Sequence, residues 1–93
     1  MEREFEWDEN KNRANKSKHK ISFEEAAEIF RYPMYEIIDN RFQYDEIRYI
    51  GIGRNRHMVI FTVVYTERGS TIRIISARRA NKKERQLYYE YYT

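Results

Sequence analysis

The segment HMVIFTVVY, residues 57–65, constrains the fold more than any other part of the chain. In a β-strand, alternate side chains point to opposite faces of the sheet, and both sets are mainly apolar here. A strand with two apolar faces lies inside a sheet that is covered on each side. The segment therefore predicts a central strand between two layers of other elements.

Two further strand-like runs flank this segment, and short turn-like sequences join all three. The runs are EIRYIGIG at 46–53 and TIRIISAR at 71–78, and the connections contain the turn sequences at 53–56 and 67–70. Such short connections predict an antiparallel meander. The segment MYEIID at 34–39 is expected to add an edge strand.

Helices are predicted before and after the meander. Asp8 is expected to cap a helix that follows the short strand EFEW and runs to about His19. Because this helix is poor in apolar residues, it should lie on the surface or against a partner. A capping box at Ser22 and Glu25 starts a second helix, which Pro33 ends.

Asn81 and Glu84 resemble the start of a third helix, which spans residues 81–93. The predicted fold class is α+β. It comprises a compact single domain over residues 1–93, an antiparallel sheet of three to five strands, two N-terminal helices and a C-terminal helix.

Composition excludes several classes of protein. The chain has no cysteine and only two histidines, which removes disulfide frameworks and thiolate metal sites and leaves no convincing zinc site. We expect no metal and no cofactor. No apolar run approaches the roughly 20 residues of a membrane span, and the charged start lacks the apolar region of a signal peptide. A cytoplasmic protein without membrane contact is expected.

Positive charge is concentrated where the last strand meets the last helix, although the net charge is only +3. Simple alternation places Ser76 and Arg78 on one face of the strand with Ile72 and Ile74, and Arg73 on the other face with Ile75 and Ala77. A bulge near the strand end would allow a phosphate-binding cluster. The basic residues of this region are Arg73, Arg78, Arg79, Lys82, Lys83 and Arg85.

Each candidate group in the sequence also has a purely structural interpretation. Arg73 can pair with a carboxylate across the sheet, while the other basic residues solvate a helix start. His19 can act as a proton acceptor in its cationic segment or as a helix C-cap. The tyrosines near the C-terminus can stack on nucleobases or pack the last helix on the sheet.

The order of several short segments resembles the BrnT family, the toxins of a bacterial type II toxin–antitoxin system. The resemblance runs from Phe5 to about Tyr88. The segments are F-E-W-D-x-x-K-x-x-x-N-x-x-K-H at 5–19, S-F-E-E-A at 22–26, I-G-I-G at 50–53, V-V-Y-T-E-R-G at 63–69 and I-R-I-I-S-A-R-R-A at 72–80.

The resemblance implies a RelE-like fold, a ribonuclease that arrests translation, and neutralisation by a BrnA-type antitoxin in a two-to-two complex. Operator DNA would be bound only through that antitoxin. Two features depart from the family pattern. Lys20 stands where a glycine often follows the histidine, and the terminal YYEYYT is unusually rich in tyrosine.

The resemblance also implies a metal-independent cleavage of RNA. The expected catalytic residues are His19 or Lys16 as base for a ribose 2′-hydroxyl, with Arg73 and Arg78 stabilising the transition state. The expected RNA-binding residues are Ser76, Arg79, Lys82 and Lys83. A basic module that only docks an antitoxin or nucleic acid is the alternative, as is a degenerate toxin that only holds its antitoxin.

Overall fold

The computed structural model describes residues 3–92 and confirms the predicted α+β class. The Thr93 end of the predicted last helix lies outside the described residues. In chain order the elements are β1 (Glu4–Glu6), α1 (Glu9–His19), α2 (Phe23–Ala26), a 3₁₀ helix (Ala27–Arg31), β2 (Tyr35–Ile38), β3 (Tyr49–Arg54), β4 (Ile60–Arg68), β5 (Thr71–Arg79) and α3 (Lys82–Tyr92).

The five strands form one sheet in the order β1-β5-β4-β3-β2. The predicted central strand β4 and edge strand β2 are confirmed, and β2 to β5 pair in antiparallel fashion. The expectation of a wholly antiparallel sheet is wrong, because β1 pairs with β5 in parallel. A parallel pair requires a long connection, and the elements from α1 to β4 supply it here.

The second helix is shorter and less regular than predicted. The capping box is present, since the Ser22 hydroxyl accepts from the Glu25 N–H while the Glu25 carboxylate accepts from the Ser22 N–H. After Ala26, however, the chain tightens into the 3₁₀ helix. This helix packs closely on β3, where a Cβ atom added to Gly53 would lie only 2.9 Å from the Ile29 Cβ.

The sheet has two different faces. We call the face toward α1, α2 and the 3₁₀ helix the closed face, because its side chains form the main core. The other face is the open face, and α3 covers only the part of it where Tyr88 packs against Ile52 and Ile60. The buried core residues of the closed face are Ile21, Phe23, Ala26, Ile29, Phe61, Val63, Tyr65, Ile72, Ile74 and Ala77.

None of the helices that residues 3–92 form is long and apolar enough to cross a membrane.

Candidate functional site

A β-bulge in β5 determines which side chains reach the open face. Val64 pairs with Ser76, but the next pair is Tyr65 with Ile74, so Ile75 is an extra residue in β5. The bulge reverses the alternation at this point. Ser76 therefore shares the open face with Thr62, Val64 and Arg78.

The predicted division of β5 into two faces is wrong for the same reason. Arg73, which pairs with Thr66, lies on the open face together with Ser76 and Arg78. Ala77 is buried with Ile72 and Ile74 on the closed face. Simple alternation holds on each side of the bulge but not across it.

The uncovered part of the open face forms a cleft of about 550 Å³. Its floor comes from the strands β3, β4 and β5, and its walls come from the end of α1, the β2–β3 loop and the first turn of α3. The lining combines several cations with one carboxylate, which makes the cleft suitable for an anion. The lining residues are Lys18, His19, Arg41, Ile50, Thr62, Val64, Ser76, Ala77, Arg78 and Glu84.

Arg78 is held in the cleft by Glu84. Its Nη1 and Nη2 atoms donate to the two carboxylate oxygens over 2.7 and 2.8 Å, and Nη1 also donates to the Arg79 carbonyl over 3.3 Å. These contacts leave the Nε–H and one Nη2–H of Arg78 outside the hydrogen bonds that the described residues make. Those two donors lie along one edge of the guanidinium and form a fork that fits two oxygens of a phosphate.

Glu84 has a second structural role as the third residue of a capping box. Its carboxylate accepts from the Asn81 N–H and its own N–H donates to the Asn81 side chain, both over 2.9 Å. Burial raises the pKa of Glu84, but the hydrogen bonds from Arg78 and Asn81 outweigh burial, and the net shift of this pKa is downward. The hydrogen bond to Glu84 in turn raises the pKa of Arg78. Both groups are therefore charged at neutral pH.

The hydroxyl of Thr62 lies beside this pair. Thr62 is buried, and its Oγ1 has no hydrogen-bond partner of ordinary geometry among the described residues. The hydroxyl is nevertheless close enough to Glu84 to help lower the pKa of the carboxyl.

Arg41 forms the wall of the cleft on the side of the β2–β3 loop. Its Nε and Nη2 donate to the buried Asp39 over 2.8 and 2.9 Å, and the Tyr44 hydroxyl donates to the same carboxylate over 3.1 Å. The hydrogen bonds from Arg41 lower the pKa of Asp39 to about 2. Asp39 therefore fixes a positive charge at the mouth of the cleft.

Helix α1 brings His19 into the cleft, and two asparagines rather than an apolar stripe attach this helix. Asn12 and Asn15 are its buried residues. The Asn15 side chain donates to the Ala77 carbonyl over 2.8 Å and accepts from the Ala77 N–H over 3.1 Å. It thus replaces a neighbouring strand along the part of β5 that the short β1 does not reach.

The end of α1 does not bear out the C-cap interpretation of His19. The residue that caps the helix is Lys20, whose N–H donates to the Lys16 carbonyl over 2.9 Å and whose φ is 63°. This left-handed conformation favours glycine, and Lys20 adopts it although the family often has glycine there. His19 is the last helical residue, and its side chain lines the cleft.

Of the residues predicted from the sequence, His19, Ser76 and Arg78 come together in the cleft. The other predicted residues do not line it. Arg73 pairs with Glu6 of the neighbouring strand over 3.5 Å, as its structural interpretation predicted. The remaining ones, Lys16, Arg79, Lys82 and Lys83, are exposed.

Four residues of this site were not predicted from the sequence: Lys18, Arg41, Thr62 and Glu84. The sequence indicated Glu84 only as part of a helix cap. Its position six residues after Arg78 was the one available signal that the two side chains could pair. Arg41 follows an unremarkable edge strand, so nothing local pointed to it. Among residues 3–92, no group of three His, Cys, Asp or Glu side chains is placed to hold a metal ion.

The C-terminal tyrosines serve mainly to pack α3 on the sheet. Tyr88 is buried, and its hydroxyl donates to the Pro33 carbonyl over 3.2 Å. The Tyr92 hydroxyl donates to the Met34 carbonyl over 2.7 Å, and the Tyr91 ring lies 4.8 Å from that of Tyr35. Tyr88 therefore packs α3 on the sheet as predicted, whereas Tyr91 and Tyr92 make these contacts but remain 61% and 41% exposed.

Comparisons with known proteins agree with the fold and the segment pattern. A family model described as "Ribonuclease toxin, BrnT, of type II toxin-antitoxin system" matches residues 7–84. The crystal structure of the Brucella abortus ribonuclease toxin BrnT matches with a TM-score of 0.63 and 23% identity, covering 87% of this chain and 100% of that one. A comparison with curated proteins finds no significant match. The relation to the RelE fold stays a prediction. The chain belongs to the BrnT family of type II ribonuclease toxins.

Proposed function

We propose that the protein is an endoribonuclease toxin whose active site is the cleft on the open face of the sheet. One observation carries the proposal. The bulge at Ile75 places Ser76 and Arg78 in the same cleft that receives His19 from α1 and Arg41 from the β2–β3 loop. A phosphate that enters this cleft meets cations from three separate parts of the chain.

In the proposed reaction, the exposed fork of Arg78 binds two oxygens of the scissile phosphate, and Arg41 adds positive charge at the mouth. The adjacent ribose 2′-hydroxyl attacks the phosphorus, and the bond to the 5′-oxygen breaks. Fixed donors of this kind stabilise the additional negative charge of the transition state. His19 is the proposed proton-transfer group, since histidine is suited to acid–base catalysis near neutral pH.

The exposed basic residues outside the cleft have a different proposed role. Arg79, Lys82 and Lys83 lie next to Arg78 in sequence and begin α3, so they are suited to contact the RNA backbone beyond the scissile phosphate. Arg73 and Lys16 are less suited to catalysis, because neither of them lines the cleft. His19 is thus the better of the two predicted proton-transfer groups.

The family places the protein in a toxin–antitoxin system, which implies an antitoxin partner. We propose that this partner is a BrnA-type protein in a two-to-two complex, that it alone contacts operator DNA, and that the toxin acts on RNA in the bacterial cytoplasm. Light scattering of the co-expressed pair tests the stoichiometry directly.

The test of the function is RNA cleavage by antitoxin-free protein, both on free RNA and in a translating extract. We expect products with 2′,3′-cyclic phosphate and 5′-hydroxyl ends, formed equally well in EDTA, and their loss in His19→Ala. Activity that EDTA abolishes would contradict the metal-independent mechanism only. Intact RNA in both assays, together with tight antitoxin binding, would contradict ribonuclease activity and support a non-catalytic binding module instead.

A further inference from the structure

The carboxylate of Glu84 has more contacts than a helix cap needs. The capping box of α3 requires only the bond from the Asn81 N–H to Oε1. Glu84 also accepts two hydrogen bonds from Arg78 and lies beside the unpaired Thr62 hydroxyl, with its side chain 19% exposed. Among residues 3–92, it is the one carboxylate that lines the cleft.

Cleavage by a ribose hydroxyl needs two proton transfers at different atoms. One group must remove the proton of the 2′-hydroxyl, and another must deliver a proton to the departing 5′-oxygen. Two acid–base side chains line the cleft, His19 on the α1 wall and Glu84 on the α3 wall. They approach from separate elements, as a base and an acid on the two sides of a phosphate must.

We infer that Glu84 is the general base of the cleavage reaction and that His19 is its general acid. This inference rests on the proposed function. A Glu84 oxygen takes the 2′-hydroxyl proton while the 2′-oxygen bonds to phosphorus. The bond from phosphorus to the 5′-oxygen breaks, and protonated His19 gives its proton to that oxygen. The products are a 2′,3′-cyclic phosphate and a 5′-hydroxyl, after which proton exchange with water restores both groups.

Ionisation and position, rather than basicity, suit Glu84 to this role, because its hydrogen bonds hold its pKa below the usual range. The groups that face it are Arg78 of β5 and the Thr62 hydroxyl of β4, while Arg41, Lys18 and His19 complete the cleft. Arg78 keeps the carboxylate ionised and at the same time presents its other edge to the phosphate. The pair would therefore hold base and phosphate next to each other, which is the arrangement that proximity catalysis needs.

The deciding variant is Glu84→Gln, which preserves the shape of the side chain and the capping box but replaces one of the two oxygens that accept from Arg78 by an amide donor. Its matched control is Glu25→Gln, because Glu25 holds the same position in the capping box of α2 and does not line the cleft. A role limited to capping would leave Glu84→Gln nearly as active as Glu25→Gln, whereas a role limited to holding Arg78 would raise KM more than threefold, because Arg78 binds the phosphate.

The experiment measures kcat and KM for RNA cleavage from pH 3.5 to 8 in the wild type and both variants, with free RNA and with a translating extract. We expect Glu84→Gln to lose about 100-fold or more in kcat with KM changed less than threefold. The acidic limb of the wild-type profile should also disappear. Glu25→Gln should match the wild type.

A Glu84→Gln variant within threefold of the wild type with an unchanged pH profile would overturn the inference and leave the proposed function intact. A faster variant would also overturn it, because Glu84 would then compete with the phosphate for Arg78. A wild type that cleaves RNA in neither assay would overturn the proposed function and the role of Glu84 together.

Discussion

The two faces of the sheet use the same strands for different purposes. On β4 and β5, side chains such as Val63 and Ile74 point into the closed face, where both are almost completely buried. The alternate residues Thr62, Ser76 and Arg78 point to the open face, which α3 covers only in part. The closed face supplies most of the apolar burial, and the open face is left for polar side chains. The main apolar core and the polar cleft are thus separated by one layer of backbone.

Two arginine–glutamate pairs show that pairing alone does not indicate a functional site. Arg56 donates to both carboxylate oxygens of Glu28 over 3.1 and 3.5 Å, and this hydrogen bonding lowers the pKa of Glu28. It joins the β3–β4 turn to the 3₁₀ helix. The Arg78–Glu84 pair has shorter bonds that involve both Nη atoms, and it lies in a cleft with His19 and Arg41. Its surroundings and the free edge of its guanidinium distinguish it from the Arg56–Glu28 pair.

The largest expected effect on stability comes from the closed face. Ile74→Ala should lower the free energy of unfolding by about 3 kcal/mol, because it leaves a cavity in the main core. Ile50→Ala removes a half-buried side chain from the floor of the cleft and should cost about 1 kcal/mol. Urea unfolding measures both. Equal losses would contradict the assignment of the core to the closed face.

The hydrogen bonds that attach α1 to β5 are expected to have the next largest effect on stability. Asn15→Ala removes the side chain that pairs with both backbone groups of Ala77 and should cost about 2 kcal/mol, since these buried groups lose their partner. Asn10→Ala, at an exposed position of the same helix, should stay within about 0.5 kcal/mol of the wild type. A small loss for Asn15→Ala would mean that α1 does not need this anchor.

Acid should weaken the cleft wall that Arg41 forms. The hydrogen bonds from Arg41 lower the folded-state pKa of Asp39 from 3.8 to about 2. The resulting stability is fully present above pH 3.8 and is lost as the pH falls toward 2. Because Arg41 is 57% exposed, solvent screening should limit the effect to about 1 kcal/mol.

The measurement is the difference in unfolding free energy between the wild type and Asp39→Asn at several pH values. This difference should shrink below pH 3.8. A difference that stays constant from pH 7 to pH 2 would show that ionisation of Asp39 is not what supports the wall.

The smallest expected effect is a gain at the end of α1. Lys20→Gly should stabilise the protein by about 0.5 kcal/mol, because φ is 63° at this position and a side chain is strained there. Thermal unfolding is sensitive enough to detect the shift. Since Lys20 does not line the cleft, the rate of RNA cleavage should be unchanged. A loss of stability in the variant would mean that the contact of Lys20 with the Ser17 carbonyl outweighs the backbone strain.

Local patterns in the sequence predicted most of the fold. The apolar segment that became β4, the edge strand β2 and all three helix starts depend on neighbouring residues, so they were visible in the sequence. The position of the bulge at Ile75 was not visible in the sequence, because a residue is extra only relative to the register of the partner strand. It reversed the face of every residue that follows and so changed which arginines share a surface.

The site was harder to predict than the fold for a related reason. His19, Ser76 and Arg78 could be selected because the family pattern carries them. Arg41 could not, since a loop residue 37 positions before Arg78 becomes its neighbour only through the order of the strands. The anchoring of α1 by Asn12 and Asn15 was also missed, because hydrogen bonds to a distant backbone leave no periodic apolar signal.

The most direct test of the account compares kcat/KM for RNA cleavage by Arg78→Ala and Arg56→Ala. Both variants remove an arginine from a glutamate pair, but only Arg78 lines the cleft. Arg78→Ala should lose about 100-fold or more, as expected for a fixed donor to the transition state, while Arg56→Ala should stay within threefold. Equal activity of two folded variants would contradict the claim that the open face carries the active site.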